Sequence, residues 1–364
     1  MKNVIIYGAG LYGKNAIKSI ENYPEIQLLG IYDSQKKGTQ FGLAYIDLSQ
    51  EVLNFEDTII VICIANAKEV LKVYSQLKKW GYKKIYKYMN KTKCYGKDFL
   101  RDECIDCGEN LENELIQIEV HMADHCNLNC RGCAHFSPLF DEEYPDLDEC
   151  RNDIKALKQR VGGIKILNLL GGEPLLNKNL ADYIKMYREE LPDTLIQIVT
   201  NGLLIPKLDE SLMRCIAQNH IVVSVSEYAP TKKIISKICE RLQEYEIDYS
   251  IREYDRKQTF SIPYTVNKDS KRTRKCISAG CVNVWKGKIS ACPALMYVKR
   301  FNERFECDLP TKGIIDLKTT ELEKEELVQA IYSPVPLCNY CVEGEIDWTI
   351  CGRTPQKSDF AWED

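Results

Sequence analysis

The sequence contains no Gly-Lys-Ser/Thr phosphate loop, no G-x-S-x-G elbow and no H-E-x-x-H pair. Phosphoryl transfer, serine hydrolysis and zinc proteolysis therefore have no residues to run on. No stretch approaches the roughly 18 consecutive apolar residues of a spanning helix. The N-terminal apolar run, Val4-Ile5-Ile6-Tyr7, is broken at once by glycines and is followed by no cleavage-type sequence, so a secretory signal is not expected and the chain reads as cytoplasmic. An excess of one charge is also missing. Lys+Arg 49 against Asp+Glu 53 gives a net charge of −4, which favours neither a nucleic-acid backbone nor an anionic membrane surface. Low-complexity tracts and clear repeats are absent, and 45% hydrophobic with 28% charged residues excludes a disordered scaffold.

Cysteine, by contrast, is abundant. There are 17 in 364 residues, an odd count grouped at short spacings. In a reducing compartment such thiols argue for metal or iron–sulfur ligation ahead of disulfides.

Residues 1–90 alternate strand-like runs with helical periodicity and predict a small parallel sheet. Residues 91–114 form a Lys-, Gly- and Asp-rich connection carrying Cys94, Cys104 and Cys107. From 115 to 265, strands expected at 115–121, 165–170, 195–200, 220–226 and 248–253 alternate with helices. This suggests a partial parallel barrel whose chemistry sits at the C-terminal strand ends. Residues 266–364 are loop-rich, with a hairpin expected over 282–289.

Cys126, Cys130 and Cys133 form C-x3-C-x2-C in the loop after the first barrel strand. Three thiolates can hold three irons of a cubane and leave the fourth open; a structural zinc site or free thiols are the plainer alternatives. Gly171-Gly172-Glu173-Pro174 follows the second strand, where glycines permit close backbone approach and a Glu can accept from an ammonium group. Together these motifs resemble the radical S-adenosylmethionine (SAM) superfamily. That resemblance implies a partial (β/α)6 barrel and a [4Fe-4S] cluster on the trio whose open iron binds SAM. It also implies that GGEP contacts the methionine amino group. Thr200-Asn201, Ser224, Ser226 and Arg252, at later strand ends, would correspond to further SAM contacts. Where the family commonly carries an aromatic residue against the adenine, this sequence has Gly132. The implied chemistry is reductive cleavage of SAM to a 5′-deoxyadenosyl radical that abstracts hydrogen from a substrate C–H bond.

Cys276, Cys292, Cys338 and Cys341 offer four thiolates from the hairpin region and a distant C-x2-C, enough to close a second cubane. A zinc ribbon is the alternative. The arrangement resembles the twitch domain, the shorter relative of the SPASM extension, and implies a second [4Fe-4S] auxiliary cluster. Cys281 and Cys351 stand as substitute ligands, and most of the other cysteines are expected to be buried small hydrophobes.

Gly8-x-Gly10-x2-Gly13 follows a strand and opens a helix, and Asp33 ends the second strand, as in a dinucleotide fingerprint. The segment resembles the Rossmann-like domains attached to polysaccharide-pathway sugar acyltransferases. That likeness implies a nucleotide or nucleotide-sugar ligand, with NAD or a ligand-free scaffold as alternatives. Of four scattered histidines, His121, His125 and His135 lie near the trio.

The expectation is an α/β radical SAM enzyme performing oxidation or epimerisation on a small molecule, a sugar, polyol or sugar conjugate. Its electron donor would be a flavodoxin or ferredoxin. A maturase of a ribosomally made peptide and a nucleotide-sensing iron–sulfur interaction protein are the alternatives.

Overall fold

The computed structural model describes residues 1–34, 38–40, 42–48, 55–90, 93–94, 98–253, 259–262, 264–268, 276, 280–352 and 354–363. The chain divides into two compact units, Met1–Glu114 and Leu115–Asp364. No helix among the described residues is long and apolar enough to cross a membrane.

In the first unit, β1 (Lys2–Tyr7), α1 (Leu11–Ile20), β2 (Ile26–Tyr32), β3 (Ile59–Ile62), α2 (Ala67–Lys79) and β4 (Lys84–Tyr88) follow the expected alternation. The sheet order is β2-β1-β3-β4 with parallel pairing. Val4, Ile5, Ile6, Ile60, Val61 and Ile62 are all fully buried, the continuous apolar signature of strands covered on both faces.

The expected connection 91–114 is in part built into this unit. Asp98 caps α3 (Phe99–Glu103) by accepting from Leu100 N, and β5 (Cys104–Asp106) pairs antiparallel with β4. The polar composition of the segment hides two anchors. Phe99 is wholly buried, and the buried Glu103 accepts from Ser19 Oγ at 2.6 Å and Tyr23 Oη at 2.7 Å. Cys104 lies in the same apolar cluster as Cys63 and Tyr88, where burial holds its thiol well above the usual range. The Cys94 side chain lies outside the described residues.

The second unit runs β6 (Glu114–Ala123), α4 (Leu147–Lys158), β7 (Gly163–Gly171), α5 (Leu180–Glu190), β8 (Leu195–Thr200), α6 (Glu210–Gln218), β9 (Val222–Glu227), α7 (Ile235–Glu244) and β10 (Tyr249–Glu253). A hairpin of β11 (Val282–Trp285) and β12 (Lys288–Ser290) follows, then α8 (Pro293–Phe305), β13 (Ile315–Asp316) and α9 (Lys324–Ile331). In sheet order the strands are β13-β12-β11-β6-β7-β8-β9-β10. Among the described residues, 115–265 thus supplies five barrel strands, and the further parallel neighbour, on the β6 edge, is β11 from the C-terminal region. This pairing joins the hairpin to the barrel as one unit.

Alternate strand residues face opposite ways, and the two faces differ sharply. One carries Ile118, Val120, Met122, Ile196, Ile198, Val223 and Val225, all buried; Val120 and Val284 meet Ile154 of α4 around a small cavity there. The other face is polar and forms the inner surface.

Candidate functional site

Cys126, Cys130 and Cys133 sit on the loop that leaves β6, which is turned by Asn129 (φ 49°) and Gly132 (φ 69°) in left-handed conformation. Two of the thiols already receive N–H donors: Leu128 N at 3.4 Å from Cys126 Sγ, and Trp348 Nε1 at 3.2 Å from Cys130 Sγ. Burial pushes the Cys126 thiol up to about 12 and raises Cys130 as well. A metal would reverse that cost by taking the thiolate form. Partly buried sulfurs ringed by N–H donors fit an iron–sulfur cluster, whose potential is set by such bonds.

A distant segment closes the loop's outer side. Arg131 N donates to Thr349 O at 3.0 Å, Cys351 N to Asn129 O at 2.8 Å and Gly132 N to Asp359 O at 2.6 Å. Arg131 Nε pairs with Asp359 Oδ1 at 2.8 Å.

On the inner side lies Gly171-Gly172-Glu173-Pro174. A Cβ at Gly171 would stand 2.1 Å from Ala123 O, and one at Gly172 would stand 2.0 Å from His125 O. The close approach that demands glycine here is therefore to the backbone leading into the trio, where the sequence suggested approach to a ligand. Gly172 N and Glu173 N donate to those same two carbonyls. Glu173 is 1% exposed and accepts from Thr200 Oγ1 (2.6 Å), Asn201 N (2.9 Å) and Leu175 N (3.1 Å). Desolvation nevertheless lifts its carboxyl to about 7. Asn201 Nδ2 in turn donates to Asn127 Oδ1 at 2.8 Å. GGEP, Thr200, Asn201 and the thiol loop thus form one hydrogen-bonded piece. Pro174 opens the short helical turn that follows Glu173.

Ser224 and Ser226 share the inner face with Ser250 and Arg252, their register partners on β10. Ser250 Oγ reaches Ser224 Oγ at 3.5 Å. Apart from His121 and His135, the rest of this face was not read from the sequence. Glu119 is buried and accepts from Gln117 Nε2 and from Asn283 Nδ2, each at 3.0 Å. Desolvation lifts it to about 7, against the pull of hydrogen bonds from Cys281, Asn283 and Gln117 and of the Arg252 charge. Asn168 and Gln197 are paired at 3.2 Å. Asp124 Oδ1 lies 2.7 Å from His121 Nδ1, whose Nε2 lies 2.8 Å from His135 Nδ1. The available signal was the alternation of Gln117, Glu119 and His121 with apolar residues along β6 and the polar residues Asn168 and Gln197 within apolar runs of β7 and β8.

The second thiol set also comes together. Cys292 precedes α8, Cys338 lies in the turn Pro336–Tyr340, and Cys341 bridges to Tyr264. Cys292 feels the charges of Cys276 and Cys338, and Cys341 those of Cys292, Cys338 and Cys276; burial chiefly lifts both thiols to about 12. Of the two substitutes, Cys281 bonds Glu119 and also feels the Cys292 charge, so it stands beside this set, whereas Cys351 is on the trio side beside Asp359 and Cys133. Among the described residues, no three His, Cys, Asp or Glu side chains converge as one bound ion would require; in a cubane each thiolate binds its own iron.

In the first unit, Gly13 is packed so that its Cβ would lie 2.0 Å from Gly8 O, while a Cβ at Gly10 would meet nothing within 4 Å. Gly8 has φ +105°. Asp33 Oδ2 accepts from Ala9 N at 2.9 Å, tying the glycine turn to the end of β2.

Residues 120–249, the span from β6 to β10 that holds the trio and GGEP, match the model of the radical SAM superfamily. The chain carries a radical SAM domain. Radical SAM enzymes use a [4Fe-4S] cluster and SAM. Residues 3–77 match the PglD N-terminal domain. A GTP 3′,8-cyclase from Nautilia profundicola is 30% identical over 95 residues, 26% of this chain and 30% of the relative. A 7,8-dihydro-6-hydroxymethylpterin dimethyltransferase from Methanocaldococcus jannaschii is 26% identical, over 34% of this chain and 26% of the relative. The chain thus spans less than half the length of these curated relatives. Among solved structures, BtrN in complex with AdoMet and 2-DOIA has 16% identity and TM-score 0.40, covering 68% of this chain and 98% of that one. Streptococcus suis SuiB bound to S-adenosylmethionine has 15% identity and TM-score 0.30, covering 38% and 32%.

Proposed function

We propose that this radical SAM protein abstracts hydrogen from a C–H bond of a hydroxyl-rich small molecule, a sugar, polyol or sugar conjugate, in an oxidation or epimerisation. The carrying observation is the hydrogen-bonded piece that joins Glu173 through Asn201 to the thiol loop. Cys126, Cys130 and Cys133 would hold the catalytic cluster, and Glu173 would accept from the SAM ammonium at the protein side of the site. Thr200 and Asn201 fix the Glu173 carboxylate, while Ser224, Ser226 and Arg252 are placed to bond polar parts of SAM or substrate. When bound, cluster and SAM supply a 5′-deoxyadenosyl radical. The chain's own task is to orient one substrate hydrogen and exclude water.

The polar inner face supports this choice of substrate class. Glu119 and Asn283 share the inner face with Ser224, Ser226, Ser250 and Arg252, with β7 and β8 between, and the Arg252 charge acts on Glu119. Asn283 Oδ1 is buried with no hydrogen-bond partner among the described residues, an acceptor left over beneath this polar face. Cys276, Cys292, Cys338 and Cys341 would hold an auxiliary cluster that takes the electron released in a net oxidation. Gly8, Gly10, Gly13 and Asp33 would hold a nucleotide or nucleotide-sugar.

Anaerobic assay with dithionite, SAM and panels of sugars, polyols and precursor peptides tests this reading. Deuterium carried from a C-deuterated carbohydrate into 5′-deoxyadenosine is expected. Transfer from a peptide alone would refute the substrate class, and no 5′-deoxyadenosine at all would refute the chemistry.

A further inference from the structure

Trp348 reaches the trio from 218 positions away in the chain, with its indole N–H 3.2 Å from Cys130 Sγ. Its ring stacks on Tyr228, just beyond β9, with centroids 5.6 Å apart and planes at 30°. Its backbone neighbours are pinned to the same loop. Cys130 and Ile350 form an antiparallel bridge, and Arg131 N and Cys351 N make bonds across that junction. The indole is thus fixed on two sides and donates its single N–H to a cysteine sulfur.

We propose that Trp348 sets the reduction potential of the cluster held by Cys126, Cys130 and Cys133, through its N–H···S bond to Cys130. This rests on the proposed role of the trio. Reduction adds negative charge to the cluster, part of which resides on the cysteine sulfurs. A fixed N–H dipole stabilises that added charge and raises the potential. Trp348 is a positioning residue that acts through the cysteine, and it makes the first electron easier to accept from a weak donor. Leu128 N–H serves Cys126 in the same sense, but as a backbone group it cannot be removed by a side-chain change.

The test uses the full chain, anaerobically reconstituted, with Cys338→Ala and Cys341→Ala so that the auxiliary thiols do not contribute a signal. Trp348→Phe keeps an aromatic ring and loses the N–H. Electron paramagnetic resonance during a redox titration should show the cluster signal at unchanged intensity, with its midpoint shifted to a more negative potential. In protein labelled with ¹⁵N at the indole nitrogens, spin-echo modulation of the reduced cluster should show a ¹⁵N coupling that Trp348→Phe abolishes. An unshifted midpoint in Trp348→Phe overturns the proposal. Should that variant fail to hold iron, absence of ¹⁵N coupling in the labelled parent overturns it instead. Adding Cys126→Ala, Cys130→Ala and Cys133→Ala should erase the signal. If it persists there, the reading of the trio fails, and that result is distinct from a failure of the Trp348 bond.

Discussion

Arg131 and Asp359 pair at 2.8 Å with side-chain exposures of 32% and 11%, and the backbone carbonyl of Asp359 also receives the N–H of Gly132. One residue near the end of the described chain therefore holds both positions between the second and third thiols of the trio.

Asp359→Ala should loosen that loop without removing a thiol. The Arg131–Asp359 contact is an ion pair without hydrogen-bond geometry, and a partly exposed pair of this kind is worth about 0–1 kcal/mol. Iron release to a chelator should be faster in Asp359→Ala than in the parent protein, with iron content at reconstitution little changed. Identical release kinetics would deny the segment 348–359 its clamping role.

The two thiol sets should separate by iron count. Cys126→Ala, Cys130→Ala and Cys133→Ala together should remove one cubane's worth of iron and abolish 5′-deoxyadenosine formation. Cys338→Ala with Cys341→Ala should remove the other and leave some unproductive SAM cleavage. Zinc at the second set, found by elemental analysis of protein purified without reconstitution, would refute the auxiliary cluster.

SAM affinity should depend on pH through Glu173. Its carboxyl titrates near 7 because burial outweighs its three donors, and only the ionised form attracts an ammonium group. Affinity should therefore rise as pH climbs through about 7 and level off above it. By the same shift, an acid raised above its unfolded value stabilises the ligand-free fold at low pH, and that contribution is lost as pH rises toward 7. Glu173→Gln should weaken SAM binding by about 10–100-fold, the equivalent of losing one charged hydrogen bond, and flatten the pH profile. Equilibrium dialysis with labelled SAM from pH 6 to 8.5 reads both effects.

The N-terminal glycines should respond oppositely to substitution. Gly13→Ala drives a methyl into Gly8 O and should lower the thermal midpoint sharply. Gly10 faces open space, so Gly10→Val should fold and, where the unit binds a nucleotide or nucleotide-sugar, block it. Calorimetry of the full chain with UDP, GDP, their sugar conjugates, NAD and NADP checks this. Flat traces for all would leave the unit a scaffold.

Much of this was legible in the sequence because the decisive residues are local. The trio spans a single loop, GGEP ends a single strand, and the strand–helix alternation gave each of β6 to β10 near its observed place. What escaped notice depends on contacts between distant segments or on alternation within a strand. Trp348 and Asp359 acquire meaning only when the last part of the chain folds back on the loop. Glu119 sits in a run, Leu115–Ala123, whose apolar neighbours read as a plain buried strand, and Asn283 becomes its partner only through the β6–β11 pairing. The polar stretch before β6 read as a connection because its anchors, Phe99 and Glu103, are two residues among many charged ones.

Tyr264 is buried, and its hydroxyl feels the thiols Cys292, Cys341, Cys133 and Cys276 together. A single aromatic side chain thus lies within electrostatic reach of both cysteine sets, on a backbone bridged to Cys341 and with Phe136, three residues past Cys133, as its ring neighbour at 5.7 Å. Were both sets to hold clusters as proposed, charge passing between them would meet this aromatic packing of Tyr264 and Phe136 rather than bulk solvent. The length of such a path is a property of the folded core, so the rate of internal charge transfer should be insensitive to whichever substrate fills the lumen.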